Sequence, residues 1–231
     1  MNDKLDVKTI STYISLSGFL YGPLDERLKI RDALQKALKK PVPSHINLFY
    51  CFGGLTFFFF LIQVVTGILL SIYYRPSPET AFQSVKYIMN DVYMGWLIRS
   101  LHRWGAEGMI VMVFLHMARV FFTGAYKKPR EFNWIIGIAL LSLTLMFGFT
   151  GYLLPWDQTA YFATRVGTEM PKFTPVIGDH ILKILRGGDD VSGSTLSRFY
   201  SLHILVLPWI IFYFMVLHFM MIRKQGVAKP L

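Results

Sequence analysis

Apolar positions along this chain fall into four long runs separated by polar stretches. Residues 46–74 contain no Asp, Glu, Lys or Arg over 29 positions, long enough to cross a hydrocarbon core of about 30 Å. Arg75, Pro76 and Pro78 close that run. A second run, about 93–122, is interrupted by Arg99, Arg103, Glu107 and Arg119. A third, from Phe132 to Trp156, is uncharged, and Pro155 ends it in the sequence PWDQ; a fourth follows at about 199–222 with Pro208 inside it. The predicted fold is therefore all-α, a transmembrane four-helix bundle with spans at about 46–74, 93–122, 132–154 and 199–222.

The polar stretches add less regular elements. Residues 1–44 form an N-terminal segment distinct from the 45–231 bundle. In it Leu24, Leu28, Leu34 and Leu38 alternate with Arg27, Lys29, Arg31, Lys36, Lys39 and Lys40, up to Pro41 and Pro43. This predicts an amphipathic helix lying on the membrane surface, with a solvated charged helix as the competing reading. No cleavable signal peptide is visible in the polar opening residues. Residues 75–92 read as a connection. Residues 157–197 read as a long connection with two short helices, about 159–169 and 177–186, and a loop of that length between membrane helices tends to cover something or to act. Pro208 predicts a kink in the fourth helix.

Composition agrees with a membrane protein: 53% of residues are hydrophobic, and 20 are Phe. The formal net charge of +10 raises nucleic acid as a partner. The basic residues, however, flank apolar spans, where membrane topology explains them, so no nucleic-acid partner is expected. Four spans put both termini on one side. The N-terminal tail, the turn around Lys127 and Lys128, and Arg223, Lys224 and Lys229 make it the negative, cytoplasm-like side. One cysteine excludes an intramolecular disulfide and any CxxC motif.

The candidate chemistry lies on the second and fourth spans. His102 and His116 are 14 residues apart, and His203 and His218 are 15 apart. Fourteen residues rise about 21 Å, and at about 100° per residue they leave two side chains within about 40° on one face. Polar residues within a membrane usually face the bundle interior for a reason. Two matched histidine pairs make a frame for two stacked sites of two imidazoles each, a ligand set that suits six-coordinate heme iron used in electron transfer. A transporter or assembly protein whose histidines bind no heme is the alternative from another class.

Glycines repeat the interval. Gly53 and Gly67 are 14 apart on the first span, as are Gly137 and Gly151 on the third. A glycine lets a flat ring approach the backbone; packing by small residues is the ordinary alternative. By topology Gly53, Gly137, His116 and His218 share the layer near the negative side, and Gly67, Gly151, His102 and His203 the other. Arg99 and Arg103 are placed with one heme and Arg119 with the other as partners of propionates, with snorkelling to lipid headgroups as the alternative.

The segments NLFYCFGG, YYRP, GWLIRSLHRW, KKPRE, GYLLPWDQ, STLSRFYSLH and HFMMIRKQG resemble the cytochrome b family in its N-terminal, heme-binding, b6-type half, from about residue 25 onward. The resemblance implies two b hemes, one on His102 and His203 on the positive side and one on His116 and His218 on the negative side. Its 15-residue interval in the fourth helix is of the b6 type. It implies a further c-type heme held covalently by Cys51, with Arg223 near its propionates; read from residues alone, Cys51 is a packed cysteine. It further implies a heme-bearing subunit of a quinol:cytochrome c or plastocyanin-type oxidoreductase, not active alone, that carries electrons between the two b hemes and couples quinol oxidation to proton translocation. Implied partners are a three-helix subunit with a PEWY motif, a Rieske iron–sulfur protein, a c-type cytochrome, quinol and quinone, and membrane lipid, in a dimeric complex. No PEWY occurs in this chain, and no catalytic residue is assigned in it. A diheme membrane anchor of another quinone-linked dehydrogenase or hydrogenase is the alternative within the same chemistry. Residues 1 to about 24 and the Gln35–Lys36 stretch depart from the plant-type pattern, which leaves the negative-side proton path open and favours a bacterial plasma membrane over a thylakoid.

Overall fold

The computed structural model describes residue 29 and residues 44–228. The surface helix expected within residues 1–44 therefore lies outside the described residues. Among the described residues every regular element is helical.

The first span begins with a 3-10 turn, Leu48–Cys51, whose start is held by the Asn47 side chain accepting from the Phe49 N–H at 3.1 Å. It runs on as α1, Phe52–Ser71. The connection after it contains a helix the pattern did not reveal, α2, Ala81–Asn90, whose buried positions Ala81, Ser84 and Ile88 make only a narrow stripe. The second span is α3, Gly95–Phe122, and the third is α4, Glu131–Leu153, with Glu131 placed favourably at the positive end of its helix dipole.

Two further helices, α5 at Gln158–Glu169 and α6 at Gly178–Arg186, fall where the sequence places short helices. The Asp157 side chain accepts from the Ala160 N–H at 2.8 Å and starts α5. Arg186, only 3% exposed, ties this segment together. It donates to Thr168 Oγ1 at 2.7 Å, to the Arg165 and Asp189 carbonyls at 2.8 and 2.9 Å, and to Glu169 Oε2 at 2.8 Å. Its own carbonyl accepts from Thr195 Oγ1 at 2.7 Å on the next helix. The bond from Arg186 holds the Glu169 carboxyl below the usual carboxylate range.

The fourth span starts earlier than the hydropathy suggests. A capping box between Ser192 and Thr195 launches α7, Gly193–Ser201, which runs without a break into a π turn, Leu202–Val206, and then α8, Leu207–Gln225. Pro208 has no N–H to offer the carbonyl four residues before it, and the Leu207 N–H reaches back five residues to the Leu202 carbonyl. The π turn takes up one extra residue. The 15-residue interval from His203 to His218 is thereby brought back to the 14-residue register of α3, so both helices present their histidines on one face. At the site where the sequence predicts a proline kink, the structure places a π turn just ahead of Pro208.

Four helical segments, 48–71, 95–122, 131–153 and 193–225, are long and apolar enough to cross a membrane. Helix α1 packs along α3, and α4 along α8. Phe60, Met109, Leu143, Leu207 and Ile211 form a buried apolar cluster between the pairs. Phe60 lies seven residues from both Gly53 and Gly67, and Met109 seven from both His102 and His116. The cluster is therefore an apolar layer midway between two polar ones. Large exposed side chains such as Phe58, Phe114, Ile135 and Trp209 cover the outside, as lipid or partner helices require.

Candidate metal centres

The side chains of α3 and α8, with the π turn, meet across the bundle at two depths. The rings of His102 and His203 have centroids 6.3 Å apart with planes at 69°; those of His116 and His218 are 6.4 Å apart at 82°. With metal–imidazole bonds of about 2.0 Å and ring nitrogens about 1.2 Å from the centroid, two rings on opposite sides of one metal stand about 6.4 Å apart. Both pairs have that spacing. Among the described residues no group of three or more His, Cys, Asp or Glu converges on one point. Each layer thus offers two protein nitrogens, which suits a metal whose remaining ligands come with it, as iron does in a porphyrin.

The four glycines stand against the four imidazoles. A Cβ on Gly53 would lie 3.0 Å from the His116 ring, and one on Gly67 3.3 Å from that of His102. One on Gly151 would lie 2.7 Å from the ring of His203, and one on Gly137 4.0 Å from that of His218. Among protein rings, the one nearest each glycine is the histidine of the neighbouring packed helix. Small residues on α1 and α4 let the imidazoles of α3, the π turn and α8 lie close to the neighbouring backbone. A graded outcome follows. Gly151→Ala should cost about 1–3 kcal/mol through overpacking at His203 and lower heme occupancy of that layer. Gly137→Ala should be nearly silent. Heme-to-protein ratio and thermal midpoint of the purified variants distinguish the two.

Two threonines complete the first layer. Thr66 Oγ1 lies 2.8 Å from His102 Nδ1, and Thr150 Oγ1 lies 3.0 Å from His203 Nδ1. The signal was present as a repeated Thr-Gly pair, 66–67 and 150–151, directly at the glycines already singled out. In the second layer neither His116 Nδ1 nor His218 Nδ1 has a side-chain partner.

The arginines divide by exposure. Arg99 and Arg119 are partly buried and lie three residues from His102 and His116, each toward its own helix end and within about 60° of the histidine face. Arg99 reaches Met89 Sδ at 3.5 Å, and the Arg119 guanidinium lies 4.6 Å from the centroid of the Tyr50 ring. Arg103 is the exposed one: its side chain is 65% exposed and meets Glu107 at 3.4 Å one turn on. Arg223 is exposed near the end of α8. Cys51 is a free, exposed thiol at the end of the opening 3-10 turn, two residues before Gly53.

The comparisons with known proteins agree with this geometry. A family model described as cytochrome b/b6/petB matches residues 37–226. A cytochrome b6 of Acaryochloris marina (strain MBIC 11017) is 51% identical over 92% of this chain and 99% of its own length. One of Prochlorococcus marinus (strain MIT 9515) is 49% identical over 94% of this chain and 100% of its own. The chain belongs to the cytochrome b/b6 family. A solved structure, titled "Hyperthermophilic respiratory Complex III", superposes with a TM-score of 0.84 at 32% identity over 91% of this chain, which spans 56% of the length of that one. Membership makes this an integral membrane protein of electron transport that carries b hemes, assembled with other subunits. The four apolar helices and all-helical architecture are those of the family.

Proposed function

We propose that the chain is the heme-bearing subunit of a quinol oxidoreductase of the b6f or bc1 type, in which His102 and His203 hold one b heme and His116 and His218 the other. The observation that carries this is the pair of imidazole frames, 6.3 and 6.4 Å across, one above the other in a bundle of four apolar helices. Family membership supports it.

Heme, when bound, supplies a one-electron iron couple at each depth. The chain supplies placement and insulation. Its histidines fix two redox sites about 21 Å apart along the helix axis. The Phe60–Met109–Leu143 layer keeps water out of the space between them. Arg99 and Arg119, near the two membrane faces, offer cations to propionates, while Arg103 and Arg223 lie further out on the surface. Gly53, Gly67, Gly137 and Gly151 give the rings room. Cys51, exposed beside the second layer, is proposed to hold a c-type heme through a thioether, near Arg223.

The 102/203 layer lies toward the positive side of the membrane and the 116/218 layer toward the negative side, on which both termini lie. The Arg186-braced segment 157–197 covers the positive-side quinol region. With heme held in both layers, an electron passing between them would work across part of the membrane potential, about 2.3 kcal/mol per charge per 100 mV for a full crossing. The proposed partners are a three-helix subunit with the PEWY motif, a Rieske iron–sulfur protein and a c-type cytochrome, in a dimer set in a bacterial plasma membrane. Residues 45–231 form the heme-binding domain, preceded by the 1–44 surface segment.

The test is made on the purified complex. Added quinol should reduce b-type absorbance and support turnover with a c-type acceptor. Removing the PEWY-bearing subunit should stop turnover and leave the b spectrum intact. A preparation with no b-type difference spectrum would refute the reading; one with b hemes but no quinol-dependent reduction would favour a membrane anchor of another enzyme.

A further inference from the structure

The two histidine layers share ring spacing and glycine register, yet their imidazoles differ in what holds the second nitrogen. We infer that Thr66 and Thr150 are positioning residues that fix the tautomer of His102 and His203 and hold the reduction potential of that layer below the value the same two imidazoles would give unaided. This rests on the heme reading above.

The direction of each hydrogen bond follows from where the hydroxyl proton goes. Thr66 Oγ1 lies 2.6 Å from the Ile62 carbonyl, and Thr150 Oγ1 2.9 Å from the Met146 carbonyl. A carbonyl only accepts, so both hydroxyl protons are committed to the backbone of their own helix. Toward histidine each oxygen can then only accept. The partner atoms, His102 Nδ1 at 2.8 Å and His203 Nδ1 at 3.0 Å, must carry the proton and donate it. A neutral imidazole protonated at Nδ1 has its lone pair on Nε2, which is the nitrogen left to bind metal. Both threonines are buried, Thr66 at 5% and Thr150 at 4% exposure, so water does not compete for the bond.

The arrangement occurs twice. Each threonine directly precedes the glycine that faces its histidine, on α1 for His102 and on α4 for His203. The equivalent positions in the other layer are Phe52, before Gly53, and Ile136, before Gly137, and neither has a hydroxyl. There His116 Nδ1 is buried without a hydrogen bond, and His218 Nδ1 has no side-chain partner. Backbone carbonyls do not account for the contrast. One imidazole of each layer has a backbone hydrogen-bond partner four residues before its glycine, Phe147 for His203 and Asn133 for His218. The threonine hydroxyl is what one layer has and the other lacks.

Donating Nδ1–H to an acceptor shifts charge onto the ring and makes it a more basic ligand. A more basic pair of ligands stabilises the oxidised, more positive metal over the reduced one, and the potential falls. The device therefore separates two otherwise similar bis-imidazole sites in the sense that favours movement of an electron from the 102/203 layer to the 116/218 layer.

Valine has nearly the shape of threonine without the hydroxyl, so Thr66→Val removes the acceptor with little change in volume. In redox titration of the intact complex, the b transition of the 102/203 layer is identified as the one that survives His116→Ala. Thr66→Val should shift its oxidised-to-reduced ratio toward reduced by about three- to tenfold at a given potential, the upper figure being about 59 mV for one electron. The other b transition should stay in place. Thr66→Ser should restore the parent value, and Thr150→Val should repeat the effect of Thr66→Val, which keeps the test open if one variant loses its heme. An unmoved transition, an equal shift of both transitions, or a Thr66→Ser variant that behaves like Thr66→Val would overturn the inference. Absence of two b-type transitions from the parent complex would instead overturn the heme assignment on which it rests.

Discussion

A complex carrying His116→Ala should show one b-type redox transition where the parent shows two. The second layer has two protein nitrogens facing each other at a centroid distance of 6.4 Å, and among the described residues no further His, Cys, Asp or Glu converges there to replace one of them. Loss of an axial imidazole removes half of the protein's hold on the metal. Alanine is the best helix former, so α3 itself should persist. His102 and His203 lie about 21 Å away along the axis. The Phe60, Met109, Leu143, Leu207 and Ile211 layer packs between the two sites and does not include either pair, so the surviving transition should keep its potential. Redox titration of the α-band reads both points. Retention of two transitions would remove His116 from the ligand set.

Cys51→Ser should abolish heme staining of the denatured polypeptide while the two b transitions remain. Hemes held only by imidazole leave the chain when it unfolds, whereas a thioether survives denaturation. The chain has one cysteine, so a covalent attachment through sulfur has one possible address. Its thiol is exposed rather than packed into the bundle, and it stands two residues from the glycine that abuts His116, beside the second layer. Serine preserves the size and the 3-10 turn at Leu48–Cys51 and removes only the sulfur. Staining that persisted in the variant would place the attachment elsewhere; absence of staining in the parent would show that none exists.

Much of the bundle is written locally. A run such as 46–74 can do little in a membrane except form a helix, because every backbone group must find its partner within the segment. The 14-residue interval between His102 and His116 is close to a whole number of turns, so their shared face follows from helix geometry alone. Gly53 with Gly67, and Gly137 with Gly151, could be assigned to layers for the same reason, and the structure sets each against the histidine of the expected layer. Helix α2 was not legible in this way. Its buried face is only Ala81, Ser84 and Ile88, too narrow a stripe to stand out until it packs on α3. The burial of Arg186 was not legible either; it depends on acceptors from Arg165, Thr168, Glu169 and Asp189, which only the folded segment gathers around it.

By itself the sequence determined the four membrane helices, the two histidine depths and the family, because hydropathy and helical periodicity act over a few turns and need no partner. Tertiary structure alone decided three things. It decided how the longer His203–His218 interval is reconciled with the shorter one, since a π turn beside Pro208 depends on which carbonyls the packed helix can satisfy. It decided the ring-to-ring distance within each imidazole pair, because that distance arises between helices. And it decided that one layer's histidines are held by threonines 36 and 53 residues away in the chain while the other's are not, since a hydrogen bond between helices exists only once their faces have met.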